Sequence, residues 1–175
     1  MTISGTVQND TDSLAQECYK MMQKMYKSEY SEILNVFYGI SVTQIKSKDT
    51  NKVLSRTCEP FSILSLPIPG RVEVTIFDCL DLYKQGEELS GDNAWFNDKT
   101  KSKQDVRKGT IFWNLPNVLI IDLKRYNNNN KKIHTLVNTP LEDLDLSQYI
   151  DGYNPNNYIY NLFGTGNHSG NVMGG

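Results

Sequence analysis

Ile111-Phe-Trp-Asn-Leu-Pro-Asn-Val-Leu-Ile-Ile-Asp-Leu-Lys-Arg-Tyr126 is the stretch whose reading decides the fold. Its second half, Val118 to Leu123, is the longest nearly unbroken apolar run in the chain. A run this short has strand length rather than helix length, and Val118, Ile120 and Ile121 are β-branched. Pro116 and Asn117 precede it, and Asn127–Asn130 with Lys131 and Lys132 follow it, so turn-forming residues punctuate both ends. Apolar residues on both faces predict a central strand covered on each side. Asp122, Lys124, Arg125 and Tyr126 then bring charge to one end, with Asp122 able to pair with either cation.

Working outward, 175 residues suffice for one core, or a core with an appendage. A net charge of −2 and a pI near 5.7 give no reason to expect a nucleic-acid partner. The short basic patch Lys99–Lys108 reads as a solvated hairpin. No apolar stretch approaches the roughly 20 residues that span a bilayer, and the N-terminus has no signal pattern, so no membrane partner and an intracellular location are expected. The three cysteines, Cys18, Cys58 and Cys79, are widely and irregularly spaced, which argues against a disulfide framework and a zinc cluster.

Residues 1–11 are polar and aperiodic and are expected to be loose. Ser13 with Gln16 has capping-box spacing, and Leu14, Cys18, Met21 or Met22, and Met25 repeat at helical intervals, predicting a helix with a core-facing stripe. A short second helix carries Ile33, Leu34, Val36 and Phe37 after Ser28 or Ser31, and Gly39 is expected to end it with a positive φ. Ile40–Ile45 alternates with period two and Val53–Thr57 returns, which reads as a hairpin. Phe61, Ile63 and Leu64 predict a strand closed by Pro67 and Pro69. Thr75 caps a helix through Tyr83 that breaks at Gly86, followed by a turn at Gly91–Asn93. Val106–Trp113 is a strand leading into the central one, with 132–137 its expected return partner. Leu141–Ile150 reads as a docked irregular turn and Tyr158–Phe163 as a last strand. From Gly164 to Gly175 the chain is too rich in glycine to build a core element. Helices first, then mostly antiparallel strands with one helix inserted, make the class α+β.

Ile33-Leu-Asn-Val-Phe-Tyr-Gly39, Glu59-Pro-Phe-Ser-Ile-Leu-Ser-Leu-Pro-Ile68, Asp78-Cys-Leu80 with Gly86-Glu-Glu-Leu89, Leu115 to Tyr126, Leu144-Asp-Leu-Ser-Gln-Tyr149 and the end Gly170–Gly175 occur in one order. In that order the chain resembles the catalytic domain of the ubiquitin-specific proteases, papain-like cysteine proteases that remove ubiquitin from proteins. The resemblance covers roughly Leu14 to Gly175. It implies an α+β papain-like fold with a palm and fingers: helices over residues 12–39, fingers and palm with an inserted helix over 40–113, and palm with cleft loops over 114–175. The implied partner is ubiquitin or a ubiquitinated protein.

The departures are equally informative. Such a protease needs a thiolate, a histidine base and an Asn or Asp that orients it. The family's Gly-Asn-Thr-Cys-Tyr type box has no counterpart here. Cys18-Tyr19 copies its last two letters inside a helical pattern and is read as structural, as are Cys58 and Cys79. The family's histidine follows a Gly-Gly pair, and here Gly174-Gly175 close the sequence. The nucleophile is therefore expected upstream of Met1 and the base after Gly175, with no catalytic residue in this chain. The paired CxxC motifs of zinc-bearing fingers are also missing, so no metal and no cofactor are expected. By resemblance, two loops flank the ubiquitin tail near 149–157 and 168–175, making Tyr149, Tyr153, Asn157, His168, Met173, Gly174 and Gly175 the candidate substrate contacts. Three readings stand at this point: part of an active deubiquitinating enzyme, a non-catalytic ubiquitin-binding module or degenerate pseudoenzyme, and an α+β binding domain unrelated to ubiquitin.

Overall fold

The computed structural model describes residues 5–153 and 155–170. Helix α1 runs Asp10–Glu29, and Asn9 caps it by accepting the Asp12 N–H on its side-chain oxygen at 2.9 Å. The helix therefore begins inside the stretch expected to be loose, and not at Ser13. Ser13 donates its N–H to the Asn9 carbonyl as an ordinary helical residue, because Asn9 supplies the same kind of acceptor one turn earlier. Leu14, Ala15 and Cys18 are buried on the stripe the sequence predicts, packing with Met21 and Met22 against Ile40, Val42 and Trp113.

Helix α2 (Glu32–Phe37) follows Ser31 at its N-cap. It ends at Tyr38 in extended backbone, and Gly39 is not in the left-handed region. Gly39 is required for a different reason. A Cβ there would lie 2.7 Å from the Phe61 ring and 2.8 Å from the Asn114 carbonyl oxygen. The glycine permits close approach rather than a reversal of handedness.

The strands are β1 (Gly39–Ser47), β2 (Val53–Phe61), β3 (Ile63–Leu66), β4 (Glu73–Thr75), β5 (Glu87–Leu89), β6 (Trp95–Asn97) and β7 (Ser102–Gln104) in the first part of the chain. They continue with β8 (Val106–Asn114), β9 (Ile120–Leu123), β10 (Leu136–Asn138), β11 (Leu144–Asp145) and β12 (Ile159–Tyr160), and α3 (Ile76–Lys84) lies between β4 and β5. The main sheet is antiparallel in the order β2-β1-β8-β5. The β6–β7 and β11–β12 pairs are also antiparallel, whereas β3–β9 and β4–β10 are parallel. With helices leading and antiparallel pairing dominant, the class is α+β.

Two expectations for the Ile111–Tyr126 stretch need correction. Among the described residues β9 hydrogen-bonds β3 alone, and it is not covered on both faces. Ile121 and Leu123 pack on the core, but Ile120 is 41 % exposed and Asp122 shares its side. The apolar run misleads because Val118 and Leu119 precede the strand. Val118 donates to the Val36 carbonyl at 2.9 Å, so that part of the run serves α2. The return strand also differs. The asparagine turn does close, with Asn127 N–H on the Lys131 carbonyl and Ile133 N–H on that of Arg125. Beyond it, Leu136 N–H bonds Val72 O and the Thr135 hydroxyl bonds Arg71 O, drawing β10 onto β4.

Helix α3 matches its sequence signals. Thr75 accepts the Asp78 N–H at 3.2 Å while Asp78 accepts the Thr75 N–H at 2.7 Å, forming a capping box. Gly86 takes φ 71° beyond its end. Ile76, Cys79 and Leu80 bury against Leu64, Leu66 and Phe112 to form the larger core. The main sheet's other face makes the smaller core with α1.

Gly39→Ala forces an extra carbon against a ring and a carbonyl. The expected cost is about 1–3 kcal/mol, read as a lower urea midpoint with unchanged slope. The Asp78 carboxyl is held at about 2, below the ordinary 3.8, first by the Thr75 hydroxyl, then by the Thr75 N–H and Arg71. A lowered folded value means its stabilisation is complete above the ordinary carboxylate range and is lost as pH falls from about 4 toward 2. Asp78→Asn should flatten the acid-unfolding curve inside that window; an unchanged slope there contradicts the assignment.

Candidate functional site

The segment after β11 is fastened to three elements in turn. Leu146 and Tyr149 are buried, and the Tyr149 hydroxyl donates to Asp81 on α3 at 2.9 Å. Burial first, then the bond to Asp81, pushes the Tyr149 phenol above its ordinary range, so it acts as a neutral donor. Lys84 donates to the Tyr149 carbonyl at 2.9 Å and pairs with Asp151 at 3.3 Å. Asp151 N–H then bonds the Phe112 carbonyl at 2.8 Å, laying the loop across the end of β8. At Gly152 any Cβ would strike the Trp113 carbonyl, so only glycine lets the backbone lie this close.

Tyr153 completes the strap. Its ring meets Trp113 edge-on at 5.3 Å, and its hydroxyl donates to Asp12 in the first turn of α1. Trp113 receives Tyr19 of α1 in the same manner at 5.8 Å. The bond to Tyr153 is the first cause of the lowered Asp12 carboxyl, and the same bond raises the Tyr153 phenol to about 12. The loop, β8 and α1 are thus joined through one aromatic cluster. Asn157 ends the 3-10 turn Pro155–Asn157 and is exposed.

The second loop is anchored elsewhere. Residues 164–170 are exposed and contain no helix or strand. The His168 ring nitrogen Nδ1 lies 3.1 Å from the Tyr126 hydroxyl, and Lys132 donates to the carbonyls of His168 at 3.0 Å and Gly170 at 3.2 Å. This loop therefore rests on the turn after β9. Of the expected substrate contacts, Tyr149 and Tyr153 share one loop, Tyr149 beneath it and Tyr153 on its surface. Asn157 follows in the next turn and is exposed, and His168 belongs to the other loop. Met173, Gly174 and Gly175 lie outside the described residues.

None of the three thiols is placed beside an imidazole. Cys18 is fully buried in α1 with its Sγ 3.6 Å from that of Cys58. Cys79 is fully buried in the larger core, where burial raises its thiol. His134 is exposed on the path to β10. At the end of β9, Arg125 does not pair with Asp122. It donates to the Thr135 carbonyl at 2.5 Å, while Asp122 accepts the Ser65 hydroxyl at 3.1 Å. The β1–β2 turn and the β6–β7 hairpin carry Lys, Asp, Thr and Asn where thiolates would be needed, a donor set that does not fit tetrahedral zinc. Asn97 instead donates to Gln104 across that hairpin at 3.0 Å.

One group went unnoticed in the sequence. The Arg56 side chain is only 5 % exposed and binds Asp10 at 2.5 Å and Glu17 at 3.4 Å, joining β2 to α1. It borders a cleft of about 540 Å³ shared with Trp95 and Lys99 of the β6–β7 hairpin. The signal was weak. Arg56 and Cys58 are two apart on β2 and share its α1-facing side, but a lone arginine in a polar strand reads as solvated.

Tyr153→Phe keeps the contact with Trp113 and removes the bond to Asp12. The Asp12 carboxyl is then expected to titrate nearer its ordinary range by carboxyl-carbon NMR, and the Asp151 amide to exchange faster. An Asp12 titration indistinguishable from the parent chain counts against the strap.

Among the described residues, no helix is long and apolar enough to cross a membrane. Comparison with known proteins gives a consistent result. The family model described as ubiquitin carboxyl-terminal hydrolase matches residues 2–175. Ubiquitin carboxyl-terminal hydrolase 2 of Gallus gallus is 35 % identical over 164 residues, covering 89 % of this chain and 44 % of that protein. The Homo sapiens protein of the same name is 34 % identical over 161 residues, covering 89 % of this chain and 26 % of its own length. Ubiquitin carboxyl-terminal hydrolase 9 of Arabidopsis thaliana is 36 % identical over 105 residues, 58 % of this chain and 12 % of that protein. The chain thus spans less than half the length of these relatives. With the family model matching along almost all of its length, the chain belongs to the ubiquitin carboxyl-terminal hydrolase family.

Proposed function

We propose that the chain is the ubiquitin-facing scaffold of a deubiquitinating enzyme, with its nucleophile and base supplied by polypeptide other than residues 1–175. The enzyme would cleave the isopeptide or peptide bond after the C-terminal glycine of ubiquitin, inside the cell. The observation that carries the scaffold role is the state of the thiols: Cys18 and Cys79 are fully buried, Cys58 is half-buried against Cys18, and none has a histidine for a base. In a Cys-His-Asn/Asp mechanism the thiolate attacks the carbonyl, and the imidazolium protonates the leaving amine. Water then releases the acyl group. The scaffold's part is to hold the tail of ubiquitin extended so that the scissile carbonyl meets the thiolate.

Two loops suit that task. Tyr153 and Asn157 present side chains on the first, with Tyr149 fixing its height from below, and His168 belongs to the second; Met173, Gly174 and Gly175, the remaining candidate contacts, lie outside the described residues. A cleft between them would admit a tail ending in glycine and exclude bulkier chains. In this reading residues 12–39 lead into the fingers and palm of 40–113, and 114–175 supply the palm and cleft loops. A second reading, a non-catalytic ubiquitin-binding module, is favoured by the same absence of an exposed thiol–imidazole pair among the described residues.

The chain alone is expected to leave a ubiquitin-linked fluorogenic substrate uncleaved, and to shift amide signals of labelled ubiquitin with a Kd weaker than about 1 μM. Turnover that disappears in Cys18→Ala would overturn the scaffold role. Coding sequence with a cysteine box before codon 1 and a histidine codon just after codon 175 selects the enzyme; stop codons at both borders select the binding module.

A further inference from the structure

Cys18 and Cys58 are separated by 40 positions, yet their sulfurs lie 3.6 Å apart at the contact between α1 and β2. Both are free thiols, Cys18 fully buried and Cys58 half-buried. A disulfide needs a sulfur separation of about 2 Å and side chains aimed at one another, so small side-chain and backbone adjustments would close the gap. The surroundings hold the pair in place. Arg56, two residues before Cys58, reaches across to Asp10 in the first turn of α1 and to Glu17, the residue before Cys18. The third thiol, Cys79, belongs to the other core and takes no part.

We propose that Cys18 and Cys58 are a reversible dithiol–disulfide site that locks α1 to β2 on reaction with a low-molecular-weight disulfide. The roles of the two sulfurs differ. Cys58 is the one reachable from solvent, and its contact with the Cys18 sulfur lowers its thiol, the first cause of the shift. The same contact is the first cause of the raised Cys18 thiol, followed by burial. Cys58 is therefore the attacking group and Cys18 the resolving one.

In the first step the Cys58 thiolate attacks one sulfur of the oxidant. The oxidant's S–S bond breaks, and half of it departs as a thiolate that takes a proton from water. In the second, Cys18 loses its proton and attacks Cys58 Sγ, expelling the other half as a second thiol. Two protein thiols are oxidised and one external disulfide is reduced to two thiols. In a reducing compartment the site rests as the dithiol. The bond would connect the helix that carries Asp12, and with it the Tyr153 strap, to the hairpin that leads toward the fingers.

The test uses glutathione disulfide on the folded chain, with alkylation of remaining thiols and non-reducing peptide mapping. Circular dichroism before and after the reaction confirms that the fold is kept. The Cys18–Cys58 linked peptide is expected in roughly tenfold or greater excess over the Cys58–glutathione adduct, since the resolving thiol is already adjacent. Dithiothreitol should return the dithiol. Cys79→Ser should give the same product, and Cys18→Ser should stop at the mixed disulfide on Cys58. Accumulation of that mixed disulfide in the parent chain, linkage through Cys79, or full alkylation of both thiols after treatment would overturn the proposal. The parent-chain result decides the matter even if a variant fails to fold.

Discussion

The molecule depends on β8 serving two cores at once. Successive side chains of a strand point to opposite faces, so adjacent Phe112 and Trp113 are committed to different interiors. Phe112 is fully buried in the larger core, with Tyr83 of α3 stacked on it at 5.8 Å and Phe61 tilted against it. Trp113 closes the smaller core beneath α1. The backbone between them is not spare either, for the Phe112 carbonyl receives Asp151 and the Trp113 carbonyl lies against Gly152. A shift of one residue in β8 would exchange the two rings and undo both cores and the loop together. That constraint places the 149–153 segment without requiring the segment to form regular structure.

Electrostatics are arranged by depth around this frame. The pairs Lys48–Glu88 and Lys108–Glu87 cross the main sheet near its rim, where both partners are about half-exposed, and add little beyond register. Arg56 differs because its guanidinium is withdrawn from water between α1 and β2. Among the described residues its Nε hydrogen has no acceptor, so the group meets its desolvation cost through the two carboxylates on α1 and the Ser13 hydroxyl oxygen at 3.4 Å. The contact specifies which way the helix lies more than it adds to overall stability.

Legibility followed locality. The cap at Thr75, the helix break at Gly86 and the hairpin from Ile40 to Thr57 were readable because their physics is contained within a few neighbouring residues. The helix stripe of Leu14 and Cys18 was readable because a single face is buried. The failures were non-local. The run Val118–Leu123 looked like one buried strand because sequence cannot show that Val118 bonds α2 and that Ile120 and Asp122 face water. The partner of β10 was hidden for the same reason, as was the meeting of Cys18 with Cys58. At the candidate site, the loop positions were suggested by resemblance, but the downward orientation of Tyr149 and the grip of Tyr153 on α1 depend on groups more than sixty positions distant.

The two parallel pairings have a kinetic consequence. Ile63 faces Ile120 and Val74 faces Val137, so each ladder joins positions about sixty residues apart in the chain. No tight turn can nucleate such contacts, and the loop-closure entropy must be met before any bond forms. The β1–β2 hairpin and α3 can assemble early, but β3 and β4 wait for the second half of the chain. During that interval Ile63-Leu-Ser-Leu66 and Ile120-Ile-Asp-Leu123 are short apolar strands with open edges, the segments most prone to pair with another copy. Folding yield should therefore fall as chain concentration rises, even where the finished structure is stable.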